Sequence, residues 1–251
     1  MDASADLGAL HRQLARLRIG LVVLGVAWLA TFAWLALRPT KIPPVLSVER
    51  LEVLEPDGSP AFVLANSRRP AVATVDGKVV MAGQEEERRV PSFIFFDGKG
   101  DEVGGMLFGK YETPNGRGAV RHFSLDALGQ DQTVVLQHDQ DPRGSTSGLA
   151  ISDRPTQSTL ESFKELGLEP GATRAELTAA IERIPEAERG QRTRDLFGGR
   201  RAFFGTVRTG ESRVELRDGE GRVRVSIDGP KEGAPSIRLL DESGGEVLRL
   251  P

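Results

Sequence analysis

The chain is expected to be mainly β: an N-terminal transmembrane helix, then an antiparallel β-hairpin meander, a fold that can close in a barrel-like way, carrying a two-helix insertion. Three observations predict this. Ile19 to Leu37 is a 19-residue run without a charge. Beyond it, apolar residues alternate with polar ones around recurring acidic-x-x-Gly turns. The alternation breaks once, where two capping boxes stand before helical stripes.

Residues 1–18 form a short tail in which Leu7, Leu10, Leu14 and Leu17 are spaced 3, 4 and 3. That spacing makes an a/d seam on a helix continuous with the span, suited either to self-association or to lying on a membrane surface. Residues 19–37 would cover roughly 28 Å at about 1.5 Å per residue, close to the ~30 Å hydrocarbon core. Arg18 and Arg38 bracket the run, and Trp34 lies near its end, as interfacial residues do. A cleavable signal would have a shorter apolar core and a small-x-small site; here the run ends Trp34-Leu35-Ala36-Leu37-Arg38-Pro39, so an uncleaved anchor is expected.

Pro39, Pro43 and Pro44 stop the helix and stiffen a linker over 38–47. Arg12, Arg16 and Arg18 precede the span, and Arg38 and Lys41 follow it. The small excess before it favours a cytoplasmic N-terminus, with residues 42–251 periplasmic or extracellular. The absence of cysteine fits either side of the membrane.

Segment 48–155 begins the hairpins. Four units share one pattern: Leu51-Glu-Val53 before Glu55-Pro-Asp-Gly58, Phe93-Ile-Phe95 before Asp97-Gly-Lys-Gly100, Val214-Glu-Leu216 before Asp218-Gly-Glu-Gly221, and Ile237-Arg-Leu239 before Asp241-Glu-Ser-Gly244. Apolar residues lie two and four before the acid, on one face of a strand, which is expected to face the core. The acid bonds the backbone of a type I turn, and the Gly supplies a left-handed residue. A fifth copy, Asp126-Ala-Leu-Gly129, has its apolar residues shifted by one.

Over 156–198 the period changes. Ser158-Thr-Leu-Glu161 and Thr173-Arg-Ala-Glu176 are capping boxes. Leu160, Phe163 and Leu166 stripe one helix; Leu177, Ala180, Ile181 and Ile184 stripe the second. Hairpins resume over 199–251. Hairpins with Asp-x-x-Gly turns behind an N-terminal anchor resemble those of uncharacterised bacterial single-pass membrane proteins. The resemblance implies no activity and assigns no functional residue.

Chemistry-bearing motifs fail on inspection. The chain has no cysteine and three histidines, which excludes a cysteine zinc site, and no metal ligand set or cofactor is expected. His138 to Gly144 lacks the ligands of a calcium loop and reads as a polar hairpin loop. Gly98, Gly100, Gly104 and Gly105 lack dinucleotide spacing and a following helix. Gly144-Ser-Thr-Ser147-Gly148 has Thr where a nucleophile elbow needs Ser, so a pairing of Ser147 with His122 or His138 is the one nucleophilic arrangement left. Glu85 to Arg89 reads as a solvated charge run.

Residues 1–41 carry two acidic and five basic side chains, a charge of +3 in a chain of −3, so the remainder stands at −6. That sign disfavours nucleic acid. Against it Arg189, Arg192, Arg194, Arg200 and Arg201 gather near the end of the insertion, as a candidate contact for an acidic partner or lipid headgroups. Both tryptophans belong to the span, which disfavours sugar recognition by stacking.

The expected partners are the lipid bilayer and either a protein or further copies of the chain. The expected role is a non-enzymatic accessory or scaffolding protein of the bacterial envelope. A membrane-anchored sensor is the alternative, with an envelope hydrolase behind it.

Overall fold

In a computed structural model, residues 3–37, 45–113 and 116–251 are described, apart from the side chains of 3–10, 12, 87 and 113. The chain divides into two units, Met1–Ser47 and Val48–Pro251. The first contains one continuous 35-residue helix, α1 (Ala3–Leu37). Its stretch Gln13–Leu37 is long and apolar enough to cross a membrane, and every side chain along it is exposed. Leu14 and Leu17 are among them; the Leu7 and Leu10 side chains lie outside the described residues, as do Arg38, Lys41 and the three linker prolines.

The second unit is built on a meander. Its strands are β1 (Arg50–Leu54), β2 (Pro60–Ala65), β3 (Thr74–Val75), β4 (Lys78–Val79), β5 (Ser92–Phe96), β6 (Glu102–Thr113) and β7 (Gly116–Asp126). Then come β8 (Gln132–Asp141), β9 (Gly144–Asp153), β10 (Gly199–Thr206), β11 (Ser212–Arg217), β12 (Val223–Gly229), β13 (Ser236–Leu240) and β14 (Glu246–Leu250). β3 and β4 form a separate ribbon, and the other twelve pair antiparallel in chain order. Among the described residues β1 pairs only with β2 and β14 only with β13, so the sheet stays open and does not close as a barrel.

The acidic-x-x-Gly turns close with the same two backbone bonds. Asp97 N–H donates to Asp101 O and Gly100 N–H to Asp97 O, and the pattern recurs at Glu55, Asp218 and Asp241. Gly58, Gly100, Gly221 and Gly244 have φ near +80° to +90°, the left-handed position of a bulged turn. Val207 to Gly210 makes the same turn without an acid, which the sequence pattern missed. In the fifth copy the turn starts at Ala127, so Asp126 remains in β7. Because the strands alternate in direction, the β1–β2, β5–β6, β7–β8, β11–β12 and β13–β14 turns lie at one end of the sheet. The insertion between β9 and β10 leaves from that same end.

The 66–91 connection holds the β3–β4 ribbon and a short helix, α2 (Gln84–Glu87). The charge run expected to be solvated is therefore partly structural: the Arg88 guanidinium donates to both carboxylate oxygens of Glu102, at 2.9 and 3.1 Å, in a half-buried pair. The insertion comprises α3 (Thr159–Glu165), α4 (Arg174–Glu182) and a third helix, α5 (Glu186–Phe197). Both capping boxes form: Ser158 and Thr173 each accept from the N3 backbone, and Glu161 and Glu176 reach back to the cap N–H. α5 has acids in its first turn and Arg194 in its last, matching the helix dipole. It lacks an apolar stripe, which is why the period gave two helices instead of three.

Burial is divided among small clusters. Phe163 packs with Val75, Val80 and Ala172, flanked by Leu160, Leu177 and Phe197, and so joins the insertion to the ribbon. Val63, Ala65, Ala71 and Ile94 form a second cluster, and Val135, Ala150 and Phe203 a third. Arg154 ties the insertion to the sheet by donating to the carbonyls of Gln132 and Phe197.

Candidate interaction surface

In an antiparallel pair, directly opposed residues share one face of the sheet. Following the register from edge to edge gives one unbroken row: Leu51, Leu64, Phe93, Met106, Phe123, Leu136, Leu149, Phe204, Val214, Ile227, Ile237 and Leu250. Two residues along, the same face carries Val53, Phe62, Phe95, Gly104, Leu125, Val134, Ile151, Ala202, Leu216, Val225, Leu239 and Leu248. None of the twenty-four is charged or polar.

This apolar face was expected to be the core face, and the structure places it the other way. Of its positions only Gly104 is buried, and fourteen are large exposed side chains, from Leu239 at 38% to Phe204 at 67%. The reverse row runs Glu52, Val63, Ile94, Gly105, Ser124, Val135, Ala150, Phe203, Glu215, Ser226, Arg238 and Arg249, and it is buried from Val63 through Ser226. Small side chains and ion pairs make burial possible there. The Phe203 ring covers Gly148, where an added Cβ would sit 2.8 Å from it. Farther on, Asp228 takes hydrogen bonds from Arg213 and Arg238 at 2.7 Å each, and Arg217 donates to Glu215. With both pairs and a Ser226 bond satisfying it, Asp228 titrates low, at about 2, although burial acts in the opposite direction.

The apolar band is wide and shallow. Twelve strands at about 4.8 Å span roughly 53 Å, while two rows lie only about 7 Å apart. A lipid-facing band on a transmembrane barrel stands about 25 Å tall, over three times the separation of these two rows. Below the band the face turns mainly polar: past the exposed Phe108 the next row carries Arg121, His138, Ser147, Thr206 and Ser212. His138 Nδ1 lies 2.7 Å from Ser147 Oγ, on strands expected to be a loop. Among the described residues no carboxylate hydrogen-bonds the other ring nitrogen, so the pair lacks the orienting third group of a nucleophilic triad. His122 lies on the reverse face, away from it; burial lowers its pKa, and its Nε2 has no hydrogen-bond partner.

The five arginines of the insertion serve separate contacts. Arg189 caps α4 through the carbonyls of Glu182 and Ile184, and Arg192 pairs with Glu165 at 2.5 Å. Arg194 donates to Gln191, Arg200 lies 5.5 Å over the Phe203 ring, and Arg201 pairs with Asp153. Three of them, Arg194, Arg200 and Arg201, border a cleft of about 240 Å³ together with Arg154 and with Asp153, Asp195 and Asp218, which offset three of the four positive charges.

A second cleft, of about 410 Å³, is lined by Arg88, Glu102, Asp126, Asp131, Arg154 and Phe163 among others. Its charges largely satisfy one another, and no group of acids and histidines suited to a metal occurs among the described residues. Asp126 is the exception. Burial, reinforced by Glu102 and Asp131, pushes its pKa up to about 7, and its Oδ1 has no hydrogen-bond partner. The folded state thus favours the neutral acid. The contribution of Asp126 to stability should be full below about pH 4 and fall as pH rises toward 7, by at most about 1.4 kcal/mol per unit. Asp126→Asn should flatten that slope and make the protein more stable than the parent at pH 8, with little change at pH 4; urea midpoints across pH measure it.

Comparison with protein-family models, with curated proteins and with solved structures finds no match for this chain.

Proposed function

We propose that this protein is a membrane-anchored, non-enzymatic accessory or scaffolding component of the bacterial envelope that binds a protein through its β domain. The observation that carries this reading is the uncharged, edge-to-edge apolar face, far larger than the few hundred Å² of a typical largest monomer patch. α1 serves as the anchor, uncleaved and single-pass. The basic excess before the span supports a cytoplasmic N-terminus, with residues 42–251 periplasmic or extracellular. An acidic β domain argues against nucleic acid as the partner.

Purification of the full chain from native membranes in mild detergent tests the reading. A discrete complex, with a stoichiometric protein or with further copies, is the expected result. A lone monomer in every mild detergent would overturn it. The arginines of the insertion and the leucine seam of the tail are secondary contacts in this reading, with Leu14 and Leu17 exposed as such a role requires.

A further inference from the structure

We infer that the occupant of the apolar face is a second copy of this chain, packed like face to like face as a two-layer β sandwich. The inference rests on the proposed reading that the β domain binds a protein, and it names that protein.

Area is the first argument. Fourteen side chains exposed by 38% to 67% offer on the order of 1,100 Å², more than the ~800 Å² per partner of a stable interface. Composition is the second. Interfaces that form and dissolve are about as polar as ordinary surface, whereas permanent homodimer interfaces resemble a domain core cut in half. Two rows without a charged or polar side chain belong to the second kind. Such a face has no groups with which to recognise a charged or hydrogen-bonding partner, but it matches another sheet with the same strand spacing and depth.

Connectivity is the third argument. Among the described residues each copy carries one candidate span, so copies anchored in one membrane share a plane and meet at a raised effective concentration. The bilayer surface is the poorer occupant, because anionic headgroups repel a β domain of charge −6. The polar margin through Arg121, Ser147 and Ser212 forms the wet rim of the packed pair.

The chain contains no cysteine, so a single introduced one reports only its own surroundings. β8 stands at the middle of the sheet, and a two-fold axis through the face brings Leu136 beside its own copy. Leu136→Cys in the full chain, treated in native membranes with a bifunctional maleimide that bridges the ~10 Å between packed sheets, should give a band at twice the 27.2 kDa chain mass. Glu220→Cys, at a hairpin tip, should not. Phe204→Glu, at a position already 67% exposed, should convert the detergent-purified complex to monomer with unchanged circular dichroism. A cross-linked band joining Leu136→Cys to a different protein would overturn the second copy while leaving the proposed function standing. Monomer alone, with no band from Leu136→Cys and no partner, would overturn both.

Discussion

Phe163→Ala should destabilise the β domain by about 3–5 kcal/mol, the usual cost of emptying a fully buried aromatic site. Phe163 is 1% exposed and meets Phe197 edge-on, with ring centroids 6.3 Å apart. It is also the residue that α3, α5 and the ribbon share. Ser162 beside it, fully buried, donates to Leu196 O and fixes α5 over the same cluster. The cavity cannot close by small shifts of one helix, because Arg154 and the α3 capping box hold the insertion at two other points. Chemical denaturation of the full chain in detergent measures the loss, which should leave the far edge of the sheet, β13 and β14, as protected from hydrogen exchange as before. A loss below about 1 kcal/mol would mean that the insertion packs otherwise.

Arg88→Met should cost a similar amount, about 3–5 kcal/mol at pH 8, because it strands Glu102. The Glu102 side chain is 10% exposed, receives both its ion-pair bonds from Arg88, and lies near Asp126 and Asp131. Without the cation, two neighbouring carboxylates are desolvated and repel each other. Acid should therefore rescue the variant in part: Asp126 becomes neutral as pH falls through about 7, which removes its repulsion of Glu102, so the deficit should shrink below that pH. Adding Glu102→Gln should restore part of the stability at pH 8, since a neutral amide leaves no stranded charge. A deficit unchanged by pH would show that Arg88 acts through packing of its stem instead.

The elements most legible in the sequence are those with a local cause. Alternation in Phe93-Ile-Phe95 and Val214-Glu-Leu216 marks strands, Ser158 and Thr173 with their N3 glutamates mark helix starts, and Asp-x-x-Gly marks turns. What lacked such a cause was missed. α5 has no apolar stripe, the Val207 turn has no acid, and the one-turn α2 has no side-chain cap; the β3–β4 ribbon did carry a signal, Asp76-Gly77 between Val75 and Val79, that the acidic-x-x-Gly pattern passes over. The site was hidden for a different reason. Alternation separates two faces of a strand but does not say which one the rest of the chain covers, so Leu51 and Leu216 were expected in the core. Only the register across twelve strands reveals that they belong to one exposed band. Asp126 was similarly obscured, because a turn that begins one residue later converts a turn acid into a buried strand acid.

The most direct test of the apolar face as the working surface is its accessibility in place. Phe204→Cys and Glu220→Cys, each the sole cysteine of the chain, would be labelled in native membranes with a maleimide that does not cross bilayers. If the face is covered by a protein, Phe204→Cys should react many times more slowly than Glu220→Cys, and Phe204→Cys combined with Leu136→Glu should regain the faster rate. Equal rates for the two single variants would mean that the band stands open to solvent, and the assignment of this face as an interface would be wrong.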